Sequence, residues 1–535
     1  MAARGGLTPD VDVLVVGAGP AGLATALQAS AHGATVRVVE RRTEPFRPSR
    51  AMIVHPRTLE GLRPLGVAER VLARGDRAPR AELHLGSRTV SAQLSEVALA
   101  DTAYPHLTMV RQMAVENALL DALRERGVEV EWGTELVDAG VLDGGALGRG
   151  ARAVLRDARG GVSETTCRFV AGCDGQASTV RSLMGTGWHG GTYCEEVVLA
   201  DVELDGGLAP GVLHVAAGRR GLVFVFALGE GATWRVLATR PTGAGDLPFG
   251  QPGPSVPAEE VQELLDGGGL PARVASLRWS AVVRLQHRLA RSFRQGPFFL
   301  VGDAAHTHSP AAAQGMNTGI LDALNLGWKL AFAARAAGDS RWPASLGPLL
   351  DSYAAERRPV AREVLALTHL VFFAEASTHP LPSLLRSTLV PLAAPALPLV
   401  LRQRLPMAAV VRLLSQQWVR YPRSPLSLDA GRGHRGPRPG DRLPDSDVVC
   451  GSERTRVHRL LASPGVHVLL ERDAPPPPVA AAHPWVSVHR VDSWMGDGLL
   501  AVRPDGHVGL RTPDVADGAL ARWLDLVGVR SSPAA

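Results

Sequence analysis

One short stretch near the start of the chain constrains its fold more than any other. Residues 11–16 (VDVLVV) form an almost continuous apolar run, which is typical of a strand buried on both faces of a sheet. The glycine-rich turn 17–22 (GAGPAG) follows at once, and a helical pattern and a second apolar run occupy residues 23–30 and 34–40. This order predicts one βαβ unit of a dinucleotide-binding fold.

The glycine-rich turn has the chemistry of a phosphate-binding site. Gly17 permits a tight turn, Gly19 leaves room for a pyrophosphate, and Gly22 lets the helix pack close to the strand. The helix N-terminus adds a partial positive charge that favours a phosphate. Glu40 ends the second strand, where its carboxylate can accept hydrogen bonds from an adenosine ribose. This unit alone does not distinguish FAD from NAD.

Length and composition bound the class of protein. With 535 residues the chain is too long for one hydrophobic core, so two to four domains are expected. The net charge of +5 includes no dense basic tract that would indicate nucleic-acid binding. The four cysteines have no CxxC or zinc spacing, so we expect reduced thiols in a cytoplasmic protein and no metal site. The apolar stretch 389–401 carries three prolines and is too short for a membrane span.

Two further segments distinguish between the possible cofactors. Residues 168–181 (RFVAGCDGQASTVR) contain Asp174, and residues 298–306 (FFLVGDAAH) contain Asp303. Together with the first motif, their order and spacing resemble those of the para-hydroxybenzoate hydroxylase-type FAD-dependent monooxygenases (group A). The chain is most similar to the branch of the actinobacterial aromatic polyketide hydroxylases. The resemblance implies one FAD site assembled from all three segments.

The resemblance also implies roles for individual residues. Asp303 matches the aspartate that binds the flavin ribityl chain, Arg50 matches an arginine that reaches the pyrophosphate, and Gln112 matches a glutamine that contacts FAD. Backbone groups of residues 310–317 would lie near the flavin ring and stabilise its anionic reduced form, so that no side chain is required as a catalytic group. The implied cofactor-binding set is Gly17, Gly19, Pro20, Ala21, Gly22, Glu40, Arg41, Arg50, Gln112, Asp174, Asp303, Pro310, Gly315, Met316 and Asn317.

The chain departs from the family pattern beside the expected flavin ring. The family usually has two glycines before the glutamine at position 314, where this chain has Ala312 and Ala313. Because alanine adopts a positive φ only at a cost, we expect either ordinary dihedral angles in this loop or an altered approach of the flavin. His306 in the GDAAH pattern is expected to pack or to form hydrogen bonds rather than to act as a base.

The predicted elements, together with the resemblance, divide this α/β chain into four parts. Residues 1–187 form the first part of an FAD-binding Rossmann-like domain, with residues 75–110 contributing to the substrate domain. The strand-like runs of residues 188–285 predict an inserted antiparallel sheet that binds substrate. Residues 286–420 return to the FAD-binding domain with a helical extension, and residues 421–535 are expected to form a thioredoxin-like domain without CxxC.

Alternate residues of the inserted sheet are expected to line a substrate pocket. The candidate substrate contacts are His214, Phe224, Phe226 and Trp234, and plain core packing is at least an equal alternative for each. The resemblance implies NADPH or NADH as a transient co-substrate, O2 as oxidant, and hydroxylation of a phenolic or polycyclic aromatic polyketide through a flavin C4a-hydroperoxide. The expected partner is this small molecule, with neither nucleic acid nor membrane, and the chain is expected to be a monomer or homodimer.

Three alternative functions stay open on the sequence. A Baeyer–Villiger oxygenase or an antibiotic-inactivating monooxygenase would share the same scaffold and motifs. A non-catalytic flavin-binding redox sensor would retain a flavin that NAD(P)H cannot reduce. A flavin halogenase is disfavoured, because none of the ten tryptophans belongs to a WxWxIP motif.

Overall fold

The structure is a computed structural model in which most of the chain is described. The predictions for Arg50, for Ala312 and for the stretch 389–401 fall outside the described residues. The described residues are 9–45, 52–77, 80–85, 88–93, 99–142, 150–218, 221–230, 232–242, 253–310, 313–337, 346–376, 384, 388, 403–431, 436–471, 474, 477–478, 483–492, 498–513 and 518–529.

Helices and strands alternate in the first part of the chain, whereas strands dominate the middle. The elements of the first part are β1 Val11–Val16, α1 Pro20–Ala31, β2 Val36–Glu40, β3 Ile53–Val54, α2 Pro56–Leu62, α3 Ala68–Ala73, β4 Arg80–Leu85, β5 Arg88–Gln93, β6 Thr108–Met109, α4 Gln112–Arg124, β7 Val130–Trp132, β8 Glu135–Val141, β9 Ala151–Arg156, β10 Val162–Gly172 and α5 Thr179–Leu183. Those of the middle are β11 Trp188–Gly206, β12 Val212–Gly218, β13 Gly221–Glu230, β14 Ala232–Pro241, α6 Ala258–Gly267 and β15 Ala272–Ala290.

Two long helices separate the middle of the chain from a small C-terminal sheet. The elements of this last part are β16 Arg294–Gln295, β17 Phe298–Leu300, β18 His306–Thr307, α7 Gln314–Ala336, α8 Leu346–Ala376, α9 Arg404–Leu414, β19 Leu428–Asp429, β20 Asp447–Cys450, β21 Glu453–Arg456, α10 Val457–Leu460, β22 Val466–Glu471, β23 Val486–Val491, β24 Leu499–Val502, β25 Val508–Thr512 and α11 Ala519–Leu526. None of the helices in the described residues is long and apolar enough to cross a bilayer.

The first sheet has a parallel core that runs β17-β10-β1-β2-β7. Residues 13–16 of β1 are buried, as expected for a strand covered on both faces. The predicted βαβ unit is confirmed, because β1 and β2 pair in parallel on either side of α1 in sequence. Helix α1 packs against α7, and the contact is close because Ala21, Gly302 and Gly319 meet there.

The second sheet is built mainly from the middle of the chain, in the order β18-β15-β11-β14-β13-β12-β4-β5. Its longest pair, β11 and β15, is antiparallel from Trp188↔Ala290 to Gly206↔Ala272, so the sheet extends beyond the expected end at residue 285. Strands β4 and β5, from residues 80–93, complete one edge, where β4 pairs in parallel with β12. One face of this sheet packs on α6, and the opposite face lines a cavity.

The C-terminal sheet is mixed, with the order β19-β25-β24-β22-β23. The expected hairpin is present, since β24 and β25 pair antiparallel on either side of Asp505. Helix α11 buries Trp523 against Gly509, where an added Cβ would lie 2.0 Å from the indole ring. The packing of that helix on the sheet therefore requires a glycine at this position. All four cysteines are free.

Candidate active site

A cavity of about 500 Å³ opens at the carboxyl ends of β1, β2, β10 and β17. This is the edge at which open α/β sheets bind ligands, because the loops that follow the parallel strands converge there. Most of the predicted cofactor residues line this cavity, namely Gly17, Gly19, Pro20, Ala21, Glu40, Arg41, Gln112, Asp174, Asp303, Gly315 and Met316.

The three glycines of the first motif have different environments. A Cβ on Gly17, whose φ is +103°, would lie 2.4 Å from the carbonyl oxygen of Cys173, and one on Gly22 would lie 1.9 Å from the oxygen of Gly17. Gly19 has an ordinary φ of −77°, and a Cβ there would have no atom within 4 Å in the described part of the chain. Gly17 and Gly22 therefore allow the turn to close against β10, while Gly19 leaves open space in front of the N-terminus of α1.

Glu40 closes the end of the cavity that the adenosine half of a dinucleotide would occupy. Its Oε2 accepts a hydrogen bond from the amide of Ala18 at 2.8 Å, and its Oε1 accepts from the amide and Nε of Arg42 at 3.0 and 2.9 Å. Burial raises the pKa of Glu40, but the bonds from Arg42 and Ala18 outweigh it and bring the pKa below its ordinary value. With a further bond from Nη2 of Arg42 to Oε2 at 3.1 Å, four donors use the lone-pair sites of the carboxylate, so a ribose hydroxyl that binds here would displace a contact of Arg42.

Asp174 and Asp303 place two carboxyl groups along the same cavity. The Oδ2 atom of Asp174 accepts hydrogen bonds from the amides of Thr179 and Val180, at the start of α5. Its Oδ1 atom is buried and has no hydrogen-bond partner among the described residues, and burial raises the pKa of this carboxyl group. A buried acceptor without a partner is unfavourable unless a ligand donates to it, so the cavity fits a ligand that carries hydroxyl groups.

A second cavity, of about 400 Å³, lies between the second sheet and the loop that precedes α7. Its walls are mainly apolar, and the polar side chains among them include those of Arg235, Gln286 and His308. Four residues line both cavities, namely Gln176, Asp303, Gly315 and Met316. The two spaces therefore meet at the N-terminus of α7.

Successive side chains of a strand point to opposite faces of the sheet, and this alternation decides which of the predicted substrate residues reach the cavity. Phe224 and Phe226 line it, and their register partners on β14 are Leu237 and Arg235, which line it as well. Trp234 is adjacent to Arg235 on β14, so its side chain points to the opposite face of the sheet, where it is buried in the core formed with α6. The structure therefore places Trp234 in the core, as in the alternative stated for it, and not at this cavity.

His214 also lies on the face of the sheet away from this cavity. Its neighbour Leu213 lines the cavity, whereas His214 pairs with Val225, which belongs to the core on the other face. His214 is buried, and its ring contacts His84 and the carbonyl oxygen of Ala209. The structure therefore places His214 on the face away from this cavity, as in the core-packing alternative, because side chains of adjacent residues in a strand point to opposite faces.

The N-terminus of α7 stands where the two cavities meet. The first turn of this 23-residue helix contains no acidic residue, so its free amides present partial positive charge toward Gly315 and Met316. Pro310 lines the second cavity but not the first. Negative charge that develops on a ligand at this junction would be stabilised by the helix.

The side chain of Asn317, a residue predicted to bind the cofactor, forms its hydrogen bonds within the protein. Its Oδ1 accepts hydrogen bonds from the amide of His55 and the hydroxyl of Thr58, and its Nδ2 donates to the carbonyl oxygens of Ile53 and Ala313. Neither cavity is lined by this residue. Its amide group instead ties α7 to the segment between β3 and α2.

His306 holds the turn that contains Asp303. Its Nε2 lies 2.7 Å from Oδ2 of Asp322, which also accepts a hydrogen bond from the amide of Gly302, while Oδ1 accepts from Nε of Arg357. The expected hydrogen-bonding role of His306 is confirmed. His55 and His308 are the histidines that line the second cavity, and burial lowers the pKa of His308.

Comparison with known proteins decides the family. The FAD binding domain family matches residues 10–368, which is more than half of the chain, and the aromatic-ring hydroxylase C-terminal domain family matches residues 436–526. The chain belongs to the FAD-dependent aromatic monooxygenases. This confirms the resemblance that the three motifs carry. FAD is therefore the cofactor of this monooxygenase, and the first cavity has the turn, the carboxylates and the helix termini that fit it.

Relatives of the monooxygenase occur among bacterial enzymes. It is 35% identical over 443 residues to the 6-methylpretetramide 4-monooxygenase of Streptomyces rimosus, which covers 81% of this chain and 74% of the relative. Its structure is similar to that of OxyS, an anhydrotetracycline hydroxylase from Streptomyces rimosus, with 28% identity, a TM-score of 0.73 and coverage of 98% and 100%. It is also similar to CabE, an aromatic hydroxylase from angucycline biosynthesis, with 26% identity, a TM-score of 0.75 and the same coverage.

Several residues of the monooxygenase line the two cavities although the sequence motifs did not predict them. Gln176 stands inside the 168–181 segment, beside Asp174, and this position was the available signal. Arg235 and Gln286 carry no motif, and only the pairing of the sheet shows which face they share. Arg42 lines the first cavity through its contact with Glu40.

Ala313 adopts a left-handed conformation, with φ 51° and ψ 39°, at the N-cap of α7. The expected alternative of ordinary dihedral angles is therefore wrong at this position. We expect Ala313→Gly to leave the free energy of unfolding unchanged or to raise it by up to about 1 kcal/mol, since relief of the strained φ offsets the entropy of glycine in the unfolded chain. The check is chemical denaturation of the flavin-free and flavin-bound forms.

The matched control is Ala366→Gly at an exposed position inside α8. Glycine in a helix interior is expected to lower the free energy of unfolding by about 1 kcal/mol relative to alanine. Equal losses in both variants would show that the left-handed conformation at residue 313 carries no strain.

Proposed function

We propose that this monooxygenase hydroxylates a phenolic, polycyclic aromatic compound of the polyketide type, at the expense of NAD(P)H and O2. The observation that carries the proposal is the meeting of the two cavities at Gln176, Asp303, Gly315 and Met316. A flavin ring in the first cavity would there face an aromatic ring held between apolar walls in the second. The relatives named for pretetramide and anhydrotetracycline support a substrate of several fused rings.

Each half of the site has a distinct task. FAD, when bound and reduced by NAD(P)H, supplies the activated oxygen for hydroxylation. The turn at Gly17 and Gly19, with Glu40 and Asp303, would hold the cofactor, and the amides at the start of α7 would stabilise its negative charge. Phe224 and Phe226 would pack on the substrate rings and keep water out of the second cavity.

Arg235 is the residue that we expect to orient the substrate. Its guanidinium is buried and pairs with Asp201 through Nε and Nη2 at 2.6 and 2.8 Å. Its Nη1 is also buried but has no hydrogen-bond partner among the described residues, although the residue lines the cavity. A phenolate or keto oxygen of the substrate would satisfy this donor, because a buried N–H without an acceptor is unfavourable.

Arg235→Lys is therefore expected to raise KM about 10- to 100-fold with a smaller change in kcat, since one charge-assisted hydrogen bond contributes about 1.5–3 kcal/mol. Steady-state kinetics of substrate-dependent NAD(P)H oxidation measure this. Arg240→Lys is the control, because Arg240 lies on the same strand and pairs with Glu196 but does not line the second cavity. An unchanged KM in Arg235→Lys would exclude Arg235 from substrate binding.

The activity itself is tested with the purified holoenzyme, NADPH or NADH, O2 and a panel of polycyclic phenols. The expected result is stimulated NAD(P)H oxidation and a product heavier by one oxygen atom. A ring-expanded or ring-opened product would instead support a Baeyer–Villiger or antibiotic-inactivating enzyme. A retained flavin that NAD(P)H cannot reduce, with or without ligand, would support a redox sensor and overturn the proposal.

For the C-terminal domain, which we propose to be thioredoxin-like, the contacts support a bracing role rather than a redox role. Its lone Cys450 cannot carry out dithiol exchange. Its hairpin instead contacts the FAD-binding domain, where Arg503 donates two hydrogen bonds to Glu356 of α8. Deletion of residues 431–535 is expected to lower both stability and activity, and a soluble enzyme unchanged in both would refute this role.

A further inference from the structure

Three metal-ligating side chains meet on the second sheet, on the side away from the substrate cavity. Glu82 and His84 are two residues apart on β4 and share a face, and Glu82 is the register partner of His214 on β12. Nε2 of His84 lies 3.1 Å from Nδ1 of His214, and Oε2 of Glu82 lies 3.4 Å from the same Nδ1. All three ligand atoms lie within 4.8 Å of one another.

Hydrogen bonds within the cluster can satisfy the two histidines, because Nε2 of His84 can donate to Nδ1 of His214, but neither ring then donates to the carboxylate of Glu82. Nε2 of His214 lies 3.1 Å from the carbonyl oxygen of Ala209, which can only accept, so this nitrogen carries the hydrogen. In the neutral ring Nδ1 then presents a lone pair. That lone pair faces a carboxylate oxygen of Glu82, which is also an acceptor. A cation between these atoms would remove the repulsion.

Two of the three separations match the ligand sphere of a small transition-metal ion, and the third is at most 4.8 Å. Zn²⁺ binds imidazole nitrogen and carboxylate oxygen at about 2.0–2.2 Å, so neighbouring ligands of a tetrahedral site lie roughly 3.3–3.5 Å apart. The observed 3.1 and 3.4 Å are close to these values. The contact of His214 with Ala209 and that of His84 Nδ1 with the hydroxyl of Thr89 are hydrogen-bond partners of the kind that orient metal-binding histidines.

We propose that Glu82, His84 and His214 bind one divalent transition-metal ion, of which Zn²⁺ best matches two imidazoles and one carboxylate. The Glu82 side chain is 28% exposed, which leaves a path for the ion and a fourth position for water, whereas His214 is buried. The ion would tie β4 to β12, two strands whose histidines are 130 residues apart in sequence. It would act as a structural brace, independent of the oxidation in the second cavity.

The first test measures Zn²⁺ binding directly. The FAD-bound enzyme is prepared without a histidine tag, stripped with a chelator, dialysed and titrated with Zn²⁺ by calorimetry, with the bound metal quantified by mass spectrometry. One equivalent per chain is expected. Loss of a residue that only hydrogen-bonds to a metal ligand weakens metal affinity about 10- to 100-fold. E82Q and H214A remove a ligand itself. We therefore expect each of them to weaken Zn²⁺ affinity by at least about 100-fold.

The chain offers a matched control pair. Nδ1 of His467 lies 2.9 Å from Nε2 of His489, and Nε2 of His467 lies 2.9 Å from the carbonyl oxygen of Ser463. This pair repeats the two-histidine arrangement, but no carboxylate or thiol joins it among the described residues. H489Q is therefore expected to bind Zn²⁺ as tightly as the wild type.

A second readout keeps the proposal testable if H214A does not fold. E82Q is isosteric and changes a partly exposed side chain, and its flavin absorbance reports an intact fold. Zn²⁺ is expected to raise the Tm of the wild type and of H489Q but not that of E82Q. No stoichiometric binding by the wild type, or equal binding by E82Q, would overturn the proposal. A Tm that responds to pH but not to Zn²⁺ would also overturn it and would indicate a shared proton in the cluster.

Discussion

Replacing Arg503 with methionine is expected to lower the free energy of unfolding of this monooxygenase by about 3–5 kcal/mol. Arg503 is buried and donates to both carboxylate oxygens of Glu356 at 2.7 and 2.8 Å and to Asp505 at 2.5 Å. Without the guanidinium, the two buried carboxylates would lose the cation between them. Lys329, 2.8 Å from Glu356, and Arg57, which donates to the carbonyl oxygen of Asp505 at 2.6 Å, would remain. Breaking a buried network is costly because the remaining charges have lost both water and their partner. Chemical denaturation measures the loss.

The control for this prediction is an exposed ion pair. Arg74 and Asp121 lie 3.2 Å apart, with 43% and 38% of their side chains exposed. Arg74→Met is expected to cost at most about 1 kcal/mol, because solvent screens exposed pairs. A loss in Arg503→Met no larger than this would contradict the prediction. The double variant Arg503→Met with Glu356→Gln should lose less than the sum of the single losses, since the two side chains interact directly.

The single variant Arg503→Met is also expected to release FAD more readily than the wild type. Arg357 follows Glu356 on α8 and bonds Asp322, which in turn accepts a hydrogen bond from Gly302 in the turn that precedes Asp303. Movement of α8 would therefore reach the cofactor cavity through these contacts. Flavin fluorescence after dilution checks this coupling, and full retention of FAD in a destabilised variant would show that the hairpin and the cofactor site are independent.

Gly19→Ala is expected to weaken FAD binding about 10- to 100-fold while leaving the flavin-free fold unchanged, because an added methyl in a filled site costs about 1–3 kcal/mol. The backbone of Gly19 is in an extended conformation that alanine adopts freely, and no atom of the described residues lies within 4 Å of the added Cβ. The methyl group would instead occupy the space in front of α1 where the pyrophosphate is expected. Fluorescence titration of the flavin-free protein with FAD measures the change.

Two other glycines separate the effect on binding from an effect on folding. Gly140→Ala places a methyl group in open space on β8, away from the cavity, and should change neither FAD affinity nor stability beyond a few tenths of a kcal/mol. Gly17→Ala forces a Cβ to 2.4 Å from the oxygen of Cys173 and should destabilise the fold itself. An unchanged FAD affinity in Gly19→Ala would show that the phosphates do not lie at this turn.

Motifs that act through the backbone were predictable from the sequence. The strand, the glycine turn and α1 depend on neighbouring residues, and their bounds agree with the structure to within a few residues. The close packing of Gly22 followed from the same local pattern. The left-handed angles of Ala313 did not, because alanine adopts this conformation only at a cost, so residue type argues against it.

The sequence by itself determined the family, the cofactor and the segments that surround it, because these depend on short motifs whose chemistry is local. Only the tertiary structure decided which face of the inserted sheet meets the second cavity, and so separated Phe224 and Phe226 from His214 and Trp234. It alone also brought Glu82 and His84 to His214. A shift of one residue in strand register exchanges the two faces of a sheet, and pairing between distant strands is set by packing rather than by any local signal.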